Sequence, residues 1–549
     1  MDTRLQVSND AHASSASQEM HPPVSGAIVM LLTPSHTFGK KMSLSNPGWT
    51  MALGVLVYAL APGLASAQQP IFKAGFAERD VSPAIGMEQP GGYGKAFHRT
   101  FHDPCKARAC VFDDGAIQVA LVGLDALGID RRSVQRCRKK IKELTGLPEF
   151  AILIGASHSH SSGPVGMVYP GDYDHANEFV QKLAYEQSSM ADLKYLEKME
   201  QGTIEAVVEA FKTRVNVQAG ISTGREDQVA FNRRFQMKSG LTVTHPGQNN
   251  PDILQPAGPV DPEVGVIGTW NQEGKMLGCV VNFACHATTS PGGISANYVY
   301  YLEKVIKGYY GKDTVVVFLN GNSGDITQVN NRNPHVNRKA EPWAEYVGGR
   351  IGVEALKQLL TMEKGVLLPV RFAAKVVDMP KRKPSEARLK KALELLQKGM
   401  GKADPTELTF AKEIVMLDAQ LKKFPAGEVE VQAVQVGPAV FLTNPAEFFC
   451  QFGLDLKKGA GFPFTFPVSL ANGCVGYVPT AESFGPRGGG YETRLTSYSN
   501  LEVGSGEKMV QMGLELAKQW KPGVSPAPVL APVFKGLPWS YGNILPEVN

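Results

Sequence analysis

Short apolar runs alternate with longer amphipathic stretches over much of the chain. Ala109–Phe112 and Ile117–Leu124 read as strands, with Asp113-Asp114-Gly115 as the hairpin turn between them. Phe72–Ala77 reads as an extended entry segment that turns at Asp80-Val81-Ser82-Pro83. A basic amphipathic helix is predicted from Arg131 to Leu144, then a buried strand over Phe150–Gly155. Ile204, Val207, Val208 and Phe211 recur at helical spacing in a longer helix from Asp192 to Lys212. Strands follow at Val264–Trp270, Leu277–Phe283 and Thr314–Leu319, with a helix near Tyr300–Tyr309 before the last. Further strands are predicted at Val429–Val436 and Ala439–Leu442. Alternating strands and helices point to an α/β or α+β sheet protein. No internal repeat is visible. The stretch from Pro384 to Phe424, rich in Lys, Glu, Leu and Ala, reads as two solvated surface helices inserted into the domain. After Lys521 the chain is proline-rich and is expected along the surface.

The N-terminal part has a different pattern. Lys40 and Lys41 precede an apolar run from Met51 to Leu64, closed by Ala65-Ser66-Ala67. That is the form of a cleaved secretory signal, leaving Gln68 first in the mature chain. The run is broken by Pro62 and Gly63 and is shorter than the ~20 apolar residues of a spanning helix. Residues 1–41 are patternless, and Met42 is a plausible true start. The chain is therefore expected to be secreted or periplasmic, with no transmembrane span once mature.

Composition narrows the class. Of the 549 residues, 43% are hydrophobic and 20% charged, which fits a globular protein. A net charge of +4, without a dense basic stripe, gives no reason to expect a nucleic-acid partner. There are seven cysteines, too few for a disulfide scaffold in so long a chain. Cys105 and Cys110 are close enough in sequence to close a small loop. The odd total leaves at least one thiol unpaired within the chain, and no spacing suits a structural zinc cluster.

Five loops carry chemistry. Ser157-His158-Ser159-His160-Ser161-Ser162-Gly163-Pro164 follows a buried strand and presents two imidazoles on small polar neighbours. Cys285-His286-Ala287-Thr288-Thr289 also ends an apolar strand. Zinc takes imidazole and carboxylate ligands and keeps a position open when catalytic. Cys285 is expected to point away from His286. Asn322-Ser323-Gly324-Asp325-Ile326-Thr327 offers hydroxyls and a carboxylate, although such a loop by itself is more often a tight turn, and it is not a nucleophile elbow. Glu447, in Asn444-Pro445-Ala446-Glu447-Phe448-Phe449, stands in apolar surroundings, where a carboxylate needs a partner or a metal. Tyr477-Val478-Pro479-Thr480 and Tyr491-Glu492 complete the set.

In this order, SHSHSSGP, ACHATT, NSGDITQ, NPAEFF, YVPT and GYE resemble the motifs of the neutral/alkaline, non-lysosomal ceramidases. GFAERDVSP, HDPCKARACVF and Asn232-Arg233 extend the resemblance over roughly residues 72 to 520. It implies a zinc ion held by His158, His286, Glu447 and Tyr477, with His160 as an acid/base group or in His158's place. It implies catalytic roles for Thr327, Arg233 and Tyr491, and a substrate-binding role for Asn232 and Asp325. The implied reaction is hydrolysis of a linear amide, that of N-acylsphingosine (ceramide) or a related N-acyl lipid, by metal-activated water, with a place in sphingolipid metabolism and substrate met at a membrane surface.

Three departures stand out. Thr327 replaces the family's serine, Gln328 replaces the proline after it, and Asn297 replaces an aspartate downstream of the second histidine. The expected architecture is an α/β metallohydrolase domain over 68–520, a mixed sheet with helices on its faces, an insertion near 384–424 and no C-terminal sandwich domain; 521–549 forms the tail. A ceramidase-fold protein with another amide or ester substrate, or with only a binding role, is the alternative. A His-x-His barrel amidohydrolase would need eight βα units, which the pattern lacks.

Overall fold

Eight strands make one sheet: β1 (Lys73–Asp80), β2 (Lys106–Asp113), β3 (Gln118–Leu124), β4 (Ile152–Ala156), β5 (Val215–Arg225), β6 (Glu263–Asn271), β7 (Met276–Phe283) and β8 (Val315–Asn320). They are taken from a computed structural model that describes residues 71–399, 402–539, 541 and 543–549. The predicted signal, residues 1–67, lies outside the described residues. The order across the sheet is β8-β7-β6-β5-β1-β2-β3-β4.

This order has an internal symmetry that the sequence does not display. β1, β2 and β3 run antiparallel, and helix α1 (Arg131–Thr145) then returns the chain to β4, parallel to β3. In the same way β5, β6 and β7 run antiparallel, and α4 (Tyr298–Tyr310) returns the chain to β8, parallel to β7. The halves join through the antiparallel pair β1–β5. The sheet also folds over, so that its two halves pack face to face. Gly123 of β3 lies so near β8 that an added Cβ would collide with the Phe318 carbonyl.

The half-sheets share an inner core that includes Leu121 and Leu153 from one side and Val280 and Val317 from the other. Outer faces are covered by helices. α1 and α3 (Leu193–Lys212) pack on Val122 and Ile154. α4 and α5 (Ala340–Thr361) pack on Val281 and Val316. Strands buried on both faces read as continuous apolar runs rather than alternating ones, which is how β3, β4, β7 and β8 were legible. The architecture is thus mixed α/β with helices on the sheet faces.

A second sheet follows: β9 (Val370–Pro380), β10 (Ala426–Val436), β11 (Ala439–Thr443) and β12 (Phe464–Val468), in that order. Val434, Phe441 and Phe466 enter the inner core. The other face carries α8 (Cys450–Gly459) and α9 (Ser505–Ala517) around Phe452, Leu456 and Met512. Asn472 pins this part to β4. Its backbone N–H donates to Ile154 O, and its Oδ1 accepts from Ile154 N, both at 2.9 Å.

Two expectations need correction. The 384–424 insertion forms α6 (Glu386–Lys398) and α7 (Pro405–Leu421), but α7 is not solvated. Its apolar side chains occur on several faces, and Ile414, Val415, Met416 and Leu417 in succession are all buried. It packs against α6 and against α2 (Glu178–Tyr185) with Tyr173, Val180 and Leu183. Cys105 and Cys110 form no disulfide; all seven cysteines are free. Cys105 stands just before β2 and Cys110 within it, and they face different cores: Cys105 joins the α1/α3 core and Cys110 the inner core. Among the described residues, no helix is long and apolar enough to cross a membrane. The tail is tied at its root, where Gly523 N donates to Gly437 O, and Val529, Leu537 and Leu545 beyond are exposed.

Candidate metal centre

The strand-end loops of both halves meet at one end of the folded sheet. His158, two residues past β4, has φ 64°. Positive φ is uncommon for a non-glycine residue and persists where surroundings enforce it. Here the enforcement is a hydrogen bond: His158 Nδ1 lies 2.7 Å from Leu127 O, in the loop after β3. His286, past β7, has Nδ1 2.7 Å from Ser323 O, in the loop after β8. Each half therefore supplies one imidazole, held by a backbone carbonyl from its neighbouring parallel strand.

A carbonyl only accepts, so both Nδ1 atoms carry the hydrogen, and a neutral ring then presents a lone pair at Nε2. Both Nε2 atoms lie 3.1 Å from Glu447 Oε2. Burial, then Arg233 and His158, hold the His286 imidazole down to about 3, so it is neutral near pH 7. Burial pushes the Glu447 carboxyl up, yet the facing His158 and His286 hold it well below the usual range. Glu447 Oε2 is buried and without a hydrogen-bond partner. His158 Nε2, His286 Nε2 and Glu447 Oε2 are thus placed where they could hold a divalent cation. The donor set of two imidazoles and a carboxylate suits zinc.

Glu447 and Tyr477, thirty residues apart in sequence, are opposite each other in a two-residue parallel ladder, Glu447–Phe448 with Tyr477–Val478. The Tyr477 hydroxyl lies 3.1 Å from that of Tyr491. Burial, ahead of Glu447 and Tyr491, pushes the Tyr477 hydroxyl well above its ordinary value, so it is a neutral phenol. Burial likewise raises Tyr491. Arg233 is clamped by Glu492 Oε1 at 2.9 Å and Gly324 O at 2.7 Å. It reaches His286 Nε2 at 3.1 Å, and its guanidinium faces the rings of Tyr477 and Tyr491 at 5.4 and 5.2 Å.

His160 Nε2 is 3.2 Å from His158 Nε2. The ligating nitrogens of His158, His160 and His286 all lie within 4.8 Å of one another, so three imidazoles form a second possible donor set. Burial, then His158 and His286, hold His160 well below its ordinary value. Its ring lies under the Gly91–Tyr93 loop, where a Cβ on Gly91, at φ +107°, would collide with it.

These groups line one cavity of about 700 Å³. Thr327, in a two-residue bridge with Phe231, also lines it. Asn232 and Asp325, expected against substrate, do not. Asn232 Nδ2 donates to Asp325 Oδ2 at 2.7 Å, and Asp325 Oδ1 accepts from Cys450 N at 2.8 Å. Both are spent on holding the Arg233 and Thr327 loops together. Cys285 points away, toward Val229 O. Sequence reasoning missed the apolar wall, to which Met167, Trp343 and Phe410 contribute; Phe410 lies on α7, which was read as solvated. It also missed Tyr498, whose hydroxyl donates to Glu447 Oε1 at 2.8 Å and which no motif marks.

No protein-family description and no curated protein sequence matches this chain. Among solved structures, it is similar to a ceramidase complexed with C2, at 16% identity and a TM-score of 0.60, over 84% of this chain and 78% of that one. It is also similar to the neutral ceramidase of Pseudomonas aeruginosa, at 16% identity and a TM-score of 0.60, over 85% of this chain and 77% of that one. The chain shares their fold.

Proposed function

We propose that the chain is an exported zinc-dependent amide hydrolase acting on an N-acyl lipid such as N-acylsphingosine. The observation that carries this reading is the convergence of His158 Nε2 and His286 Nε2, each 3.1 Å from Glu447 Oε2, on a cavity of about 700 Å³. Tyr477 completes the donor set. When bound, zinc polarises a carbonyl and makes water acidic enough to be a nucleophile near neutral pH. The chain's own residues supply the rest. Arg233, held rigid by Glu492 and Gly324, offers a fixed positive charge for the oxygen that gains charge as the amide carbon becomes tetrahedral. The Tyr491 hydroxyl is a second donor to that oxygen. His160, kept neutral, can take a proton from the attacking water and return it to the leaving nitrogen. Thr327 contributes a hydroxyl on the cavity wall. The apolar part of the wall, with Met167, Trp343, Pro405 and Phe410, excludes water and receives an alkyl chain.

Fold likeness and donor chemistry support this reading. The experiment is metal analysis of the purified protein with a panel of N-acyl substrates varied in amine and chain length. One zinc per chain and turnover of an N-acyl lipid, lost on chelation and restored by zinc, is the expected result. A zinc-loaded protein that hydrolyses no amide in the panel would leave a binding role instead.

A further inference from the structure

The carboxylate of Glu447 has two oxygens, and only one can face the imidazoles. The terminal torsion of a glutamate is broad and roughly two-fold, so the backbone ladder with Tyr477 does not decide how the carboxylate turns. Among the described residues, the one hydrogen bond to Oε1 comes from Tyr498, at 2.8 Å. Tyr498 is itself held. Thr496 Oγ1 accepts from Tyr498 N at 3.3 Å, and Cys474 Sγ lies 3.4 Å from the phenol oxygen. A Cβ on Gly476 would collide with the Tyr498 carbonyl, so the two backbones pass in close contact.

Tyr498 also stands between two cavities. With Leu127 and Met167 it lines both the metal cavity and a second one of about 390 Å³ on the far side. In that second cavity Arg131 bonds Glu428 and Glu430, and Arg132 bonds Asp130 and Asp172. Its arginines are thus satisfied internally. The wall itself is what connects the second cavity to the chemistry, since Leu127 holds His158 through its carbonyl and Tyr498 holds Glu447 through its hydroxyl.

We infer that Tyr498 is a positioning residue for the metal centre: its hydroxyl fixes the Glu447 carboxylate so that Oε2 faces His158 and His286. The inference rests on the metal site proposed above but not on the substrate. Partners of metal-ligating groups typically cost 10–100-fold in metal affinity when removed.

The test is Tyr498→Phe, which keeps the ring and removes only the hydroxyl. Zinc affinity is read by competition with a chromophoric chelator, and folding of the metal-free protein by circular dichroism and thermal melting. The expected result is a zinc Kd raised about 10–100-fold with a metal-free melting curve close to wild type. Glu447→Ala provides the second arm. If Tyr498 acts through Glu447, adding Tyr498→Phe to Glu447→Ala weakens zinc no further, because coupled sites are not additive. An unchanged zinc Kd in Tyr498→Phe, or a full additional loss on top of Glu447→Ala, overturns the inference and leaves the metal site standing. Wild-type protein that binds no zinc overturns both.

Discussion

Thr327 and Asn297 are two of the residues at which this chain departs from the pattern it resembles, and each has a definite setting. The Thr327 hydroxyl makes one hydrogen bond among the described residues, accepting from Val329 N at 3.4 Å, and no imidazole or carboxylate is bonded to it. A covalent nucleophile needs an adjacent base. Thr327→Ala is therefore expected to lower turnover by about 10²–10³-fold, as losing one oxyanion donor does, and to leave measurable activity. Complete loss in a single-turnover assay would identify Thr327 as the nucleophile. Thr327→Ser is expected to raise hydrolysis of N-acylsphingosine. Asn297 links the two histidine loops. Its Nδ2 donates to Ser159 Oγ at 2.8 Å, and its Oδ1 accepts from Ser290 N at 2.7 Å and Thr289 Oγ1 at 3.2 Å. Ser159 Oγ already donates to Ser295 O, so an aspartate at 297 would face it oxygen to oxygen. Asn297→Asp is expected to destabilise the fold by about 1–3 kcal/mol, the cost of a buried unsatisfied polar group. Denaturant titration measures this, and a gain in stability would contradict it.

At the scale of elements, the strand-end loops could be located from sequence because a doubly buried strand has no polar face. β3, β4, β7 and β8 each stop where small polar residues begin, and that is where His158, His286 and Thr327 stand. α7 could not be placed this way. Its charged residues suggested solvent, yet Lys412 is buried with Nζ donating to Tyr93 O, and its Glu413 neighbour accepts from Ser497 Oγ. These contacts fix the Gly91–Tyr93 loop and Phe410 against the cavity. Met416 is fully buried. Met416→Ala is expected to cost about 2–5 kcal/mol, whereas the same change on a solvated helix would cost within about 0.5 kcal/mol. The melting temperature of the variant decides between the two.

For the whole molecule, the buried imidazoles predict a pH dependence. His286 is held at about 3 in the fold, against about 6.5 in an unfolded chain. Between those values the unfolded state binds more protons, so stability falls as pH falls. The metal-free protein is expected to lose about 2 kcal/mol from His286 alone between about pH 7 and pH 5. In His286→Gln that part of the slope should be absent. Thermal melts of both proteins across the range provide the check, and equal slopes would refute it.

Some of this was determined by the sequence alone. Strand and helix positions and the α/β class were readable, because burial on both faces leaves continuous apolar runs, while the histidine loops, Glu447 and Tyr477 stood out through their resemblance to the ceramidase motifs. Tertiary structure decided the remainder. The duplicated half-sheets share no visible sequence repeat, since side chains can diverge while hydrogen-bonded strand order persists. Asn232 and Asp325 carry the chemistry of a binding pair, but their mutual hydrogen bond turns them away from the cavity. Cys105 and Cys110 are near in sequence but belong to different cores on either side of the sheet. Tyr498 carries no local signal, because its importance lies in which oxygen of Glu447 it reaches, and that distance exists only after the loop following Tyr477 has folded back across the ladder.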